Sequence, residues 1–148
     1  MSQEFSKVFS IAYRKVGYGQ PVFIVAEAGV AHFGSIEKAK ALVDMAVAAK
    51  ADAVKFQVFK TDELISKESP EWMERLRIKE LPFEAFKEIQ AYCREREIIF
   101  FATAHDEMSL QHLDRMDSCI SCDLCGKELC HGSLFRKRLT PFLHKSSA

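Results

Sequence analysis

Glu27, Lys55, Gln57 and Thr103 are the polar residues whose placement invites chemistry. Glu27 closes the apolar run PVFIVAEA, Lys55 and Gln57 alternate with Val54, Phe56 and Val58, and Thr103 lies near the end of IIFFATA. Side chains alternate across a strand, so Ala53, Lys55 and Gln57 share one face and Val54, Phe56 and Val58 the other. The second set suits packing under helices; the first is too polar for that and must meet a cavity or a ligand. An ammonium inside an apolar strand needs an anion or loses its charge, because burying it unpaired is costly. Two readings satisfy Lys55: an internal ion pair with Glu27, or a bound phosphate or carboxylate. Gln57 favours the second by giving the lysine a companion donor, and Thr103 adds a hydroxyl at the matching point of the next strand. Taken alone, Thr103 reads as an ordinary β-branched strand residue.

Other reactive residue types have simpler readings. His32 sits in the glycine-bordered loop GVAHFG, where a hydrogen-bonding or surface histidine is commoner than a catalyst. His105 and Asp106 are spaced as an acid/base pair, but an aspartate before a helix is explained by capping. Trp72, the only tryptophan, is expected to anchor its own charged loop rather than cover a ligand. Cys93 falls in a helical apolar stripe and reads as a small core residue.

The elements that position these residues follow from periodicity. Residues 1–20 alternate loosely until Gly17 and Gly19 and read as a short hairpin or irregular lead-in. Val22–Ala28 is an apolar run broken only by Glu27, the pattern of a strand covered on both faces. Ser35 is placed to cap a helix whose apolar stripe is Ile36, Ala39, Leu42, Val43, Ala46 and Val47, with Glu37 in its first turn. A strand over Ala53–Phe59 follows, then a charged connection with a short helix over Glu71–Lys79. Pro82 suits the opening turn of the next helix, with Phe83, Phe86, Ile89 and Cys93 as its stripe. The third strand spans Ile98–Ala104, and Asp106 caps a helix burying Leu110, Leu113 and Met116. This β-α-β-insert-α-β-α order predicts an α/β fold with three parallel strands.

The bulk composition is that of a globular domain. The chain has 148 residues, 48% hydrophobic and 28% charged, enough for a packed core. Zero formal net charge argues against a nucleic-acid-binding surface. No apolar run is long enough to span a bilayer, and the first residues do not read as a signal peptide, so no membrane partner and a cytoplasmic location are expected.

After Asp117 the pattern stops. Acidic residues nearly vanish, and Cys119, Cys122, Cys125 and Cys130 crowd together as C-x₂-C-x₂-C-x₄-C. Four thiolates at this spacing are candidate ligands for Zn²⁺ or an iron–sulfur cluster, although zinc sites more often separate two C-x₂-C pairs. The competing readings are that this stretch arises from a frameshift, alternative exon or misjoined gene, or that its thiols serve a redox or disulfide role.

The segments AEAGVAHFGSIEKAKALVDMAVAAKADAVKFQ and FEAFKEIQAYCREREIIFFATAHDE resemble the sialic acid synthase family, which includes N-acetylneuraminate and related nonulosonate synthases. The family signatures are A-E-x-G-x-N-H-x-G, G-A-D-A-V-K-F-Q and S-T-P-F-D, and the likeness extends over about residues 16–117 in one register. The resemblance implies a TIM barrel, of which the chain has three βα units. It also implies condensation of phosphoenolpyruvate with an N-acylhexosamine, such as N-acetylmannosamine or its 6-phosphate, giving a nine-carbon keto sugar acid and phosphate. Mn²⁺ or Mg²⁺ assists in that family, whose members are homodimers. By position, Lys55, Gln57 and Thr103 match phosphoenolpyruvate-binding residues, and Glu27 matches the catalytic acid at the sugar end.

The chain departs from the family pattern at several points. Ala31 stands for asparagine, Lys50 for a helix-ending glycine, and Ala104-His105 for Pro-Phe. The K-I-G-S-G motif and the family's metal-binding histidines do not follow Asp117. The expected organisation is therefore a lead-in at 1–20, a partial synthase-like barrel at 21–117 truncated or frame-disrupted thereafter, and a poorly ordered, irregular Cys-rich tail at 118–148. On that reading the chain alone is an inactive fragment. The alternative is a non-enzymatic metal-binding or interaction protein using the cysteine cluster.

Overall fold

A computed structural model of the chain describes residues 8–116. The expectations for the cysteine cluster and the 118–148 tail lie outside the described residues. Strands β1 (Val8–Ile11) and β2 (Arg14–Gly17) form an antiparallel hairpin. Strands β3 (Val25–Gly29), β4 (Ala53–Val58) and β5 (Ile99–Ala104) form a parallel sheet in the order β3-β4-β5. The predicted parallel α/β pattern is thus what the chain adopts over these elements.

Helix α1 (Ile36–Ala48) begins where Ser35 Oγ accepts the Lys38 N–H at 3.2 Å, as its sequence predicts. The connection after β4 holds α2 (Thr61–Leu64) and α3 (Pro70–Arg77). Helix α4 (Phe83–Glu95) has Pro82 as its N-cap, one position earlier than an opening-turn residue. Helix α5 (Glu107–Arg115) is capped by Asp106, whose carboxylate accepts the Ser109 N–H at 2.8 Å.

Both α1 and α4 end in a Schellman turn. Lys50 N–H donates to Val47 O and Ala51 N–H to Ala46 O; Glu97 N–H donates to Arg94 O and Ile98 N–H to Cys93 O. Lys50 and Glu97 occupy the left-handed position at φ +58° and +56°, so Lys50 does adopt the conformation for which glycine is suited.

The main core lies between the sheet and its helices. Val54, Phe56 and Val58 of β4, with Phe100 and Ala102 of β5, pack against Ala39, Val43, Phe86, Ile89 and Leu113. A smaller cluster lies on the opposite face, where Ile11 of the hairpin closes over Ala53, Ile99 and Phe101. The hairpin is tied down there by an Arg14–Asp52 ion pair at 2.8 Å and by Tyr13 Oη donating to Glu97 O.

Three packing expectations are corrected. The apolar run before Glu27 is not covered on both faces: Val22 is 80% exposed and Ile24 and Val25 are also exposed, because β3 has no strand partner on its outer edge among the described residues. Its strand also starts later than expected, at Val25. Trp72 does not anchor its loop. It is exposed on α3, which buries no residue, and carries the Arg75 guanidinium over its ring at 5.5 Å. Helix α5 buries Ser109 and His112 with Leu113, while Leu110 is only partly covered. His112 stacks on Phe83 at 4.5 Å, which turns the helix slightly from its purely aliphatic stripe.

Candidate functional site

The predicted polar face exists, and its residues come from adjacent strands. Glu27 of β3 pairs in register with Lys55 of β4, and Gln57 of β4 pairs with Thr103 of β5. A register irregularity between Glu27 and Gly29 advances β3 against its partner, leaving Gly29 at φ +53°. A methyl group on Gly29 would lie 3.5 Å from Glu27 Oε1 and 3.8 Å from Gln57 Nε2. The carboxylate and the amide therefore both lie beside Gly29, whose left-handed backbone suits glycine.

Lys55 Nζ lies 2.5 Å from Glu27 Oε2, so the lysine has the anion its strand position demands. The pair is not buried, contrary to expectation: the side chains are 31% and 48% exposed. The hairpin covers this face only at its base, over Ala53, Ile99 and Phe101. An incoming phosphate or carboxylate can thus compete with Glu27 for the ammonium without first dismantling the core. Thr103 is partly buried beside this group in register, and its hydroxyl completes a set of one cation and two neutral donors.

A second polar network fixes the rim above the strands. Asp106 Oδ2 accepts the Lys60 N–H and the Ser109 hydroxyl, both at 2.7 Å, clamping the segment after β4 to the start of α5. Glu80 accepts from Thr61 N–H at 2.9 Å, Thr61 Oγ1 at 2.7 Å and Lys60 Nζ at 2.9 Å. Burial pushes the Glu80 carboxyl up, but these three bonds outweigh it and hold the group below the usual carboxylate range. Lys60 Nζ also sits 4.5 Å over the Phe83 ring. The β3–α1 loop fits tightly against the same region, because a Cβ on Gly34 would be 2.9 Å from Ile78 O. Glu80 escaped the sequence reading because its partners lie 19 and 20 positions away and no period connects them.

The histidines divide. His32 is fully buried, not at the surface, with Nδ1 accepting the Gly34 N–H at 3.1 Å and its ring 6.1 Å from Phe56. Burial lowers its pKa and keeps it neutral. Its sequence signal was the pair of glycines, which allow the loop to fold over the ring. His105 and Asp106 do not form an acid/base pair: the Asp106 carboxylate is spent on Ser109 and Lys60, and His105 is exposed.

A divalent cation requires several oxygen or nitrogen ligands. Among the described residues no group of three or more His, Cys, Asp or Glu side chains is placed to hold a metal ion. The carboxylate on the polar face is already engaged by Lys55. Among the described residues, this set does not fit a metal site. Among the described residues no helix is long and apolar enough to cross a membrane.

Comparison with known proteins gives the chain's family. The chain is 40% identical over 111 residues to the spore coat polysaccharide biosynthesis protein SpsE of Bacillus subtilis, covering 68% of this chain and 30% of that protein. It is 37% identical over 110 residues to the N,N'-diacetyllegionaminic acid synthase of Legionella pneumophila, covering 66% and 31%. Among solved structures it is similar to the N-acetylneuraminic acid synthetase of Leptospira borgpetersenii, with a TM-score of 0.71, 32% identity and coverage of 84% of this chain and 45% of that one. The chain spans about a third of the length of the curated relatives it matches. The NeuB family model matches residues 42–121, more than half of the chain and the part that carries Lys55, Gln57 and Thr103. The family whose motifs the sequence resembles is therefore its own: the chain belongs to the NeuB family.

Proposed function

We propose that this chain provides the phosphoenolpyruvate-facing part of a sialic acid synthase-type site. The observation that carries the reading is the meeting of Glu27 and Gln57 beside Gly29, with Lys55 paired to Glu27 and Thr103 in register with Gln57, on a face left partly open above the hairpin. Lys55 binds the phosphate or carboxylate, and Gln57 and Thr103 donate to its oxygens. Glu27, released from Lys55 by the ligand, turns to the sugar end and acts there as the catalytic acid/base group. The reaction to which this face belongs joins phosphoenolpyruvate to an N-acylhexosamine, forming a carbon–carbon bond and releasing phosphate. In that reading the three βα units are part of a (β/α) barrel spanning 21–117, the residues before it are a lead-in, the protein works as a homodimer, and it acts in the cytoplasm on small molecules.

Phosphoenolpyruvate titrated into the purified chain by calorimetry tests this. Saturable binding that Lys55→Ala removes is the expected result; binding that survives Lys55→Ala overturns the assignment. The chain alone is expected to bind the ligand without completing the condensation. Incubation with phosphoenolpyruvate, Mn²⁺ and N-acetylmannosamine should then yield no nine-carbon keto acid, and its detection would reverse that expectation.

A further inference from the structure

Strand β5 keeps its alternation beyond its last residue. Ile99 N–H donates to Asp52 O at 3.1 Å and His105 N–H donates to Val58 O at 3.0 Å, in a ladder that pairs Ala53 with Ile99 through Val58 with Ala104. The two bonds have the same phase, because donor and acceptor both advance by six residues. In a parallel ladder, residues whose N–H groups point to the same neighbour also share a side-chain face. His105 therefore continues the column of Ile99, Phe101 and Thr103. The first two of these close against Ile11 and Ala53, which identifies the column's face as that of Lys55 and Gln57. Asp106, in the opposite phase, turns its carboxylate to Lys60 N–H and Ser109.

Both nearby lysines already have carboxylate partners, so an anion gains from a further donor. Lys55 is paired with Glu27, and Lys60 with Glu80. An anion arriving on this face meets an exposed imidazole one alternation above Thr103. We propose that His105 is a further ligand-binding residue of this face, donating a ring N–H to the anionic group held by Lys55 and Thr103. The inference rests on the phosphoenolpyruvate reading given above.

Titration of the full chain with phosphoenolpyruvate, by calorimetry and by imidazole NMR, tests it. The His105 resonance, identified by its loss in His105→Gln, should shift on addition of phosphoenolpyruvate and stay still in Lys55→Ala. Affinity should fall about tenfold in His105→Phe, and by less than about threefold in His105→Gln, which retains an N–H donor. Unchanged affinity in His105→Phe, or an unmoved resonance in the unaltered chain that binds the ligand, overturns the inference and leaves the Lys55 site standing. Failure of the unaltered chain to bind phosphoenolpyruvate overturns both.

Discussion

The Glu27–Lys55 pair shows how an ion pair and the proposed binding site are compatible at one position. With the side chains 48% and 31% exposed, water screens the attraction and the pair contributes little to folding. Lys55→Met is expected to change the unfolding free energy by less than about 1 kcal/mol in urea titrations while abolishing phosphoenolpyruvate binding. Cys93 is the opposite case. It is fully buried, and burial pushes its thiol up to about 12. Peptide mapping after iodoacetamide treatment at pH 8 should find Cys93 unmodified in the native chain and labelled once the chain is unfolded in urea. The lysine, the glutamine and the threonine were legible as candidates because strand alternation alone separates the two faces. That Lys55 is open to solvent was not legible, since exposure depends on where the hairpin stops.

Among the elements, the local signals carried through. Ser35 and Asp106 cap the helices they precede, and the stripes of α1 and α4 face the core, with Ile36, Leu42, Val47 and Phe83 partly buried at its margin. The signals that failed were non-local. An apolar run reads the same at an edge as in the middle of a sheet, so the exposure of Val22 and Ile24 had no sequence signature. Trp72 failed similarly: its size suggested burial, but α3 packs no face against the core. The two Schellman turns give a quantitative prediction. Lys50 and Glu97 hold left-handed backbone at φ +58° and +56° without the freedom of glycine. Lys50→Gly and Glu97→Gly should each stabilise the chain by about 1 kcal/mol, read from denaturation midpoints, and their effects should add.

For the whole molecule, the buried histidines His32 and His112 and the hydrogen-bonded Glu80 contribute to the response to acid. Desolvation lowers the pKa of His32 and His112, so the unfolded chain takes up their protons first. Their stabilising contribution is complete above about pH 6.5, the unfolded histidine value, and declines as pH falls below it. Glu80 is held below the usual carboxylate range, so its contribution persists to about pH 4.3 and is lost beneath that. Urea midpoints measured from pH 8 to pH 3.5 should therefore fall in two stages. His112→Gln should flatten the upper stage and Glu80→Gln the lower one. Neither stage was foreseeable from the sequence, because each depends on packing between distant elements: Phe83 against His112, and Thr61 against Glu80.

The hairpin has a consequence for the order of assembly. Its docking surface is made of Ala53, Ile99 and Phe101, and its Tyr13 hydroxyl bonds to a carbonyl 84 positions later. That surface does not exist until β4 and β5 have paired, and closing so long a loop is entropically slow. The hairpin is thus expected to dock late, on a sheet already built. Until it arrives, water reaches the polar face from below as well as from above. On this order, the polar face is expected to become one-sided only at the last step of folding.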